Sequence, residues 1–142
     1  MKKRSKIAVL AATALISLAF TAIPAQASTT YTVDCPTTGA SGAATVNGFY
    51  STITGSFGVT LAVYDSSADG HHVSVRLIGK GPGGTPVNWS WHANYDGAGT
   101  TQAWNTTAQY SSGLVDVGVQ VARFEGDTLL NSCTKWVLSD SL

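Results

Sequence analysis

Charged side chains are scarce in this sequence. Asp, Glu, Lys and Arg make up 11% of the 142 residues, and the eight basic residues balance the eight acidic ones. Four of the basic residues stand among the first six positions, so residues 28–142 carry four basic against eight acidic residues, a net charge of −4. A mildly acidic domain with a few scattered cations attracts polyanions poorly, and the composition therefore argues against binding to DNA or RNA.

Long apolar runs are missing from most of the chain. The one such run, residues 7–23, follows a basic stretch and is closed by Ala25-Gln26-Ala27, the small-x-small pattern that signal peptidase cleaves. This arrangement predicts a signal peptide over residues 1–27 and a secreted, extracellular protein with no membrane contact once the signal is removed. The remaining chain, about 115 residues, is long enough for one domain with its own core.

Cysteine is also rare: Cys35 and Cys133 are the only two. Neither has a histidine or a second cysteine nearby at metal-ligand spacing, which disfavours a metal-binding or nucleophilic thiol. In an oxidising compartment an even cysteine count indicates a bridge, and only one pairing is possible. The sequence therefore predicts a disulfide that ties the two ends of the domain together.

Helix signals are nearly absent after residue 27. All 15 glycines lie there, among many Thr, Ser and Val residues, and this composition favours strands and turns. Apolar and polar residues alternate in four clear runs, residues 59–64, 73–78, 87–94 and 115–122, which are separated by Gly- and Asp-rich turns. About seven short strands at this spacing predict an all-β fold, an antiparallel β-sandwich of immunoglobulin-like size, with a small β-barrel as the alternative.

The alternation also assigns faces. The strictest run has four valines at period two, which we expect to point into the core: Val115, Val117, Val119 and Val121. In the run over residues 87–94, Trp89 and Trp91 fall on one face together with Val87 and Ala93. Core packing is the interpretation this favours, and a sugar-stacking platform built from Trp89 and Trp91 is the alternative.

The start of the domain is polar and rich in turn-forming residues. We therefore expect an extended N-terminal arm over residues 28–42, fixed at Cys35, followed by a single sandwich domain over residues 43–142. Such an arm buries too little apolar surface to order itself alone, and a partner that accepts it as an added strand would order it. Its two larger apolar residues, Tyr31 and Val33, are the predicted partner-binding residues.

Catalytic carboxylates are not indicated. The two close pairs, Asp65 with Asp69 and Glu125 with Asp127, fall in turns, where acids are usually solvated or cap the turn. No Gly-x-Ser-x-Gly string occurs, although a triad assembled from distant residues would leave no such motif. The sequence therefore predicts a protein that is not an enzyme.

Metal ligation is not indicated either. His71 and His72 are adjacent on an expected strand, so their rings point to opposite faces and cannot share one ion. His92 stands 20 positions further on, and no His-Glu-x-x-His string is present. We expect no metal and no cofactor.

Four strings carry a resemblance to a known group: DGHHVSVRL at 69–77, WSWHANYDGAGT at 89–100, WNT at 104–106 and EGD at 125–127. Over about residues 43–133 the chain resembles small secreted proteins of filamentous actinobacteria. The resemblance extends to the small adaptor subunit of umbrella-shaped antibacterial toxin particles, which links a lectin-bearing subunit to a large subunit that carries the toxin. It implies a non-enzymatic protein whose partners are other secreted proteins, and it assigns no partner-contacting residue.

Two functional hypotheses follow. One is a protein-binding adaptor that uses the N-terminal arm or an exposed strand edge. The other is a carbohydrate-binding module that holds a polysaccharide on Trp89 and Trp91. Co-purification of large secreted proteins favours the first hypothesis, and retention on polysaccharide favours the second.

Overall fold

The computed structural model describes residues 28–140, so the predicted signal peptide over residues 1–27 lies outside the described residues. Glycine-rich turns and a short 3₁₀ turn at Pro82–Gly84 interrupt alternating apolar runs and divide this part of the chain into nine strands. The strands are β1 Thr30–Thr37, β2 Ala40–Asn47, β3 Phe57–Asp65, β4 His72–Lys80, β5 Pro86–Asn88, β6 His92–Asn94, β7 Thr101–Ala108, β8 Asp116–Glu125 and β9 Thr128–Trp136.

The strands form two antiparallel sheets. The four-stranded sheet has the order β1-β2-β3-β7, and the five-stranded sheet has the order β5-β4-β8-β9, with β6 pairing beside β5 along the same edge of β4. The sheets pack face to face, with β1 against β9 and β2 and β3 against β8 and β4. The predicted antiparallel sandwich is confirmed, and because the two sheets stay separate over residues 28–140, they form no closed barrel.

Alternation explains the core between the sheets. On β8, Val117, Val119 and Val121 are fully buried, as predicted, and burial of each stabilises the fold by about 1.5–3 kcal/mol. The prediction was wrong for Val115, which precedes β8 and is 37% exposed. The neighbouring Leu114 fills the core at this end instead and is fully buried.

The predicted disulfide between Cys35 and Cys133 is confirmed. It joins β1, the edge strand of one sheet, to β9, the edge strand of the other, across a Cα–Cα distance of 5.7 Å. It therefore closes one long side of the sandwich.

The N-terminal arm expected over residues 28–42 is not free. Residues 30–37 form β1, which pairs with β2 along its whole length, and the predicted boundary at residue 42 falls inside β2. Tyr31 and Val33 alternate with Cys35 and pack partly buried against the core, because period-two apolar residues at a sheet edge bury one face. The structure therefore does not offer these two side chains as exposed partner-binding residues.

The prediction that Trp89 and Trp91 share a face is also wrong. Ile78 pairs with Asn88 and Val75 pairs with His92, so two residues of β4 face three residues between β5 and β6. This extra residue is a β-bulge, and one inserted residue moves every following side chain to the opposite face of the sheet. We call it the Trp bulge, residues 89–91.

The Trp bulge separates the two indoles. The backbone N–H of Trp89 donates to the Leu77 carbonyl oxygen over 3.1 Å, and the Trp89 ring packs against the core. The Trp91 ring lies beside the outward-facing Arg76, whose guanidinium carbon is 4.4 Å from the ring centroid. Trp91 therefore belongs to the outer face of the five-stranded sheet.

Candidate binding site

An aromatic cluster lies on the outer face of the five-stranded sheet, near the end where β4 begins and β8 ends. His72 and Phe124 are paired residues of β4 and β8, and Trp91 and Tyr95 stand immediately before and after β6. The placement follows from the strand register on one side and from the Trp bulge on the other. We call this surface the aromatic groove; its floor is formed by Ser74 and Ala93.

The four rings contact one another in a chain. The His72 ring lies 4.6 Å from Tyr95 and 5.4 Å from Phe124, nearly parallel to the latter at 11°. The Trp91 ring meets Phe124 at 5.3 Å and 82°, an edge-to-face contact. Tyr95 is 74% exposed, and the groove between the rings has a volume of about 380 Å³.

The rings of the aromatic groove do not belong to the hydrophobic core. The apolar interior lies on the other side of the sheet, where the inward-facing valines of β4 and β8 are fully buried. A contiguous aromatic patch rimmed by polar residues is typical of a binding surface. The groove is therefore the leading candidate site among the described residues.

A polar pocket of about 280 Å³ adjoins the aromatic groove at the end of the sandwich. It shares His72, Tyr95 and Phe124 with the groove, and the loops after β3 and β6 and the β8–β9 hairpin complete its wall. Asp65, the last residue of β3, lies at the pocket and is only 2% exposed. Its Oδ1 accepts the backbone N–H of Ser67 over 3.0 Å, whereas its Oδ2 has no hydrogen-bond partner among residues 28–140.

Ionic contacts fix the loops around the polar pocket. His71 Nε2 lies 2.7 Å from Glu125 Oε2, and Arg123 donates to Asp69 Oδ2 over 2.8 Å. His71 Nδ1 also lies 3.1 Å from Asp69 Oδ1. These pairs connect the β3–β4 loop to the β8–β9 hairpin.

Acidification is expected to loosen this end of the molecule. The backbone N–H of His71, which donates to the Asp69 carboxylate, holds the pKa of Asp69 below its ordinary value of 3.8, and the nearby His71 and Arg123 side chains act in the same direction. Because the folded-state pKa is lowered, the stabilisation is present above pH 3.8 and is lost as the pH falls through the folded-state pKa.

The measurement is the melting temperature of the wild type and of Asp69→Asn from pH 7 to pH 2. The variant should melt lower at neutral pH, and the two curves should converge at the acid end. A constant difference across the whole range would show that the carboxylate charge contributes nothing.

The structure separates some of the residues singled out in the sequence. His92 faces the interior and lies 5.0 Å from the Trp104 ring, away from His71 and His72. In the described part of the chain no group of three or more His, Cys, Asp or Glu side chains is arranged to hold a metal ion. No helix in that part is long and apolar enough to cross a bilayer.

Other residues are brought together that the sequence treated as separate. The strings at 69–77, 89–100 and 125–127 converge on the aromatic groove and the polar pocket, and only WNT at 104–106 lies elsewhere, on β7. Sequence reasoning missed Phe124, Tyr95 and His72 as partners of Trp91. The available signal was their position in or beside these strings.

A second depression, of about 370 Å³, lies on the outer face of the four-stranded sheet. Small side chains such as Ala43 and Ala62 line it, with Tyr64 and the exposed Asp34 at its margin. It has neither a ring cluster nor a buried unpaired polar atom among its described residues. We therefore regard it as the weaker candidate.

Comparison with protein-family models, curated proteins and solved structures finds no match to this chain.

Proposed function

We propose that this protein is a secreted, non-catalytic adaptor that binds another secreted protein through the aromatic groove. The observation that carries the proposal is the four-ring cluster on the outer face of the five-stranded sheet, in which Tyr95 is exposed and the other three rings are half-buried. Aromatic side chains are enriched at the centres of protein interfaces, where a few of them supply most of the binding energy.

The resemblance to the actinobacterial adaptor proteins supports this role. Three of the four strings that carry it are separate in sequence but adjacent in space, because they meet at the aromatic groove and the polar pocket. On that basis the partners are a lectin-bearing subunit and a large toxin subunit of a secreted antibacterial complex.

Substitution of the exposed rings tests the adaptor role. Trp91→Ala and Tyr95→Ala should each weaken partner binding by about 30-fold, as expected for a central interface aromatic. Tyr95 is 74% exposed, so its loss should leave the melting temperature unchanged. The measurement is recovery of large secreted proteins from culture supernatant on the immobilised protein.

Tyr50 provides the matched control. It is 61% exposed and lies in the β2–β3 connection, at the opposite end of the sandwich from the groove. Tyr50→Ala should recover the partner as well as the wild type does. Equal recovery by all three variants would mean that the groove is not the binding surface.

Carbohydrate binding is the second candidate, and the exposed ring of Tyr95 favours it. The sugar would stack on Tyr95 and Trp91, with Asp127 at the rim as a hydrogen-bond acceptor for hydroxyl groups. Trp89 would not take part, because its ring packs against the core. Retention in polysaccharide-containing gels that Tyr95→Ala abolishes and Tyr50→Ala preserves would favour this candidate over the adaptor.

The two indoles should differ in stability tests. Trp89→Ala should lower the free energy of unfolding by about 2–3 kcal/mol, since a large ring packed against the core is lost. Trp91→Ala should cost less, about 1–2 kcal/mol, because the half-buried ring loses its cation–π contact with Arg76 and its edge-to-face contact with Phe124. Urea denaturation of both variants measures the difference. Equal losses in the free energy of unfolding would contradict the Trp bulge.

A further inference from the structure

The buried carboxylate of Asp65 is incompletely hydrogen-bonded. The side chain is 2% exposed, and only one of its oxygens, Oδ1, is paired, with the Ser67 N–H. Oδ2 is buried and has no hydrogen-bond donor within residues 28–140, and Asp65 is one of the residues that line the polar pocket. A buried polar atom without a partner is costly, so this oxygen is suited to a donor that a ligand brings.

The charge around Asp65 selects the kind of donor. Glu125, which pairs with His71, is a second carboxylate at the pocket, and no lysine or arginine is found among the described residues that line it. The two nearest arginines are engaged elsewhere, Arg123 with Asp69 and Arg76 over the Trp91 ring. The pocket therefore favours a cation.

The residues that line the polar pocket indicate the shape of the cation that would fit. Tyr95 and Phe124 line both the polar pocket and the aromatic groove, so an apolar surface leads from the open face of the sheet towards Asp65. Lysine and arginine side chains have a matching form, an apolar stem that packs on rings and a charged head that seeks a carboxylate. Their cations also interact favourably with the face of an exposed tyrosine ring.

We infer that the polar pocket binds a lysine or arginine side chain of the partner protein, with the stem against Tyr95 and Phe124 and the head group donating to Asp65 Oδ2. This inference rests on the proposed function and names the chemistry of the partner segment. An amino sugar carries its cation directly on a broad ring without a stem, and it serves as the competing ligand in the test.

The first experiment is an NMR titration of the ¹⁵N-labelled protein, residues 28–142, in which the amide chemical shifts are measured at each ligand concentration. The probes are the Nα-acetyl amides of arginine, lysine and citrulline, and glucosamine. Arginine or lysine should give saturable shifts at Gly97, Ala98 and Gly126, which line the pocket. Citrulline has the shape of arginine without its charge and should give none.

The second experiment compares two carboxamide variants. Asp65→Asn keeps the acceptor for the Ser67 N–H and removes the charge, so arginine binding should weaken by about 10-fold or more. Asp34 is an exposed residue on the other sheet, so the Asp34→Asn variant should bind arginine as the wild type does. Thermal melting of both variants checks that they are folded.

The outcomes separate this inference from the adaptor role. Saturable arginine or lysine binding that Asp65→Asn abolishes supports it. The absence of shifts with both cations, equal shifts with citrulline, or shifts with glucosamine alone would overturn it. If Asp65→Asn recovers the partner from supernatant normally while Trp91→Ala does not, the adaptor role stands and the cation pocket is rejected; if Trp91→Ala also recovers it normally, the adaptor role at the groove fails separately.

Discussion

Val119→Asp is expected to unfold the protein or to lower its free energy of unfolding by about 4 kcal/mol or more, because a carboxylate would be buried without a partner. Val119 is fully buried and sits opposite Leu77 in the centre of the five-stranded sheet, facing the other sheet. Urea denaturation followed by tryptophan fluorescence measures the change.

Val115→Asp is the control for that substitution. Val115 is 37% exposed and precedes β8, so the same change should alter stability by no more than about 0.5 kcal/mol. Equal losses at the two positions would mean that the valine run faces the core throughout. Equal tolerance would mean that the two sheets do not pack as described.

Removal of the disulfide is the second change with a large expected effect. The double variant Cys35→Ala/Cys133→Ala should lose about 4–5 kcal/mol of its free energy of unfolding. The bridge joins residues 98 positions apart, and closing so long a loop strongly restricts the unfolded chain. Alanine is the suitable replacement because Cys35 is fully buried and serine would place a hydroxyl group there.

The disulfide prediction is checked by comparing chemical denaturation of the double variant with the oxidised and the reduced wild type. The reduced wild type should denature close to the double variant, well below the oxidised form. If all three share one midpoint, the bridge contributes nothing to stability, and the pairing of β1 with β2 alone holds the first strand in place.

Much of the fold could be predicted because local pattern and global packing agree. Val59, Leu61 and Val63 alternate on β3 and are all buried, and Gly126 has the positive φ that the two-residue turn of the β8–β9 hairpin requires. The same logic was available for β1. Tyr31, Val33 and Cys35 alternate as a strand does, but the polar residues between them were interpreted as an arm.

The candidate site could not be assembled from the sequence in the same way. Trp91 reaches the outer face only because β4 pairs with two strands whose registers differ by one residue, and a strict period-two pattern carries no mark of such an insertion. The pairing of His72 with Phe124 depends on the β4–β8 register, which joins residues distant in sequence. The sequence placed Asp65 in a turn, but it is the last residue of β3, and its burial depends on loops that contact it only in the folded state.

The Trp bulge determines which face of the five-stranded sheet carries Trp91. If β6 instead continued the register of β5 along β4, Trp91 would lie opposite Val75 and turn inward. The aromatic groove is thus gained or lost by a slip of β6 along β4 by one residue, without any substitution in its rings.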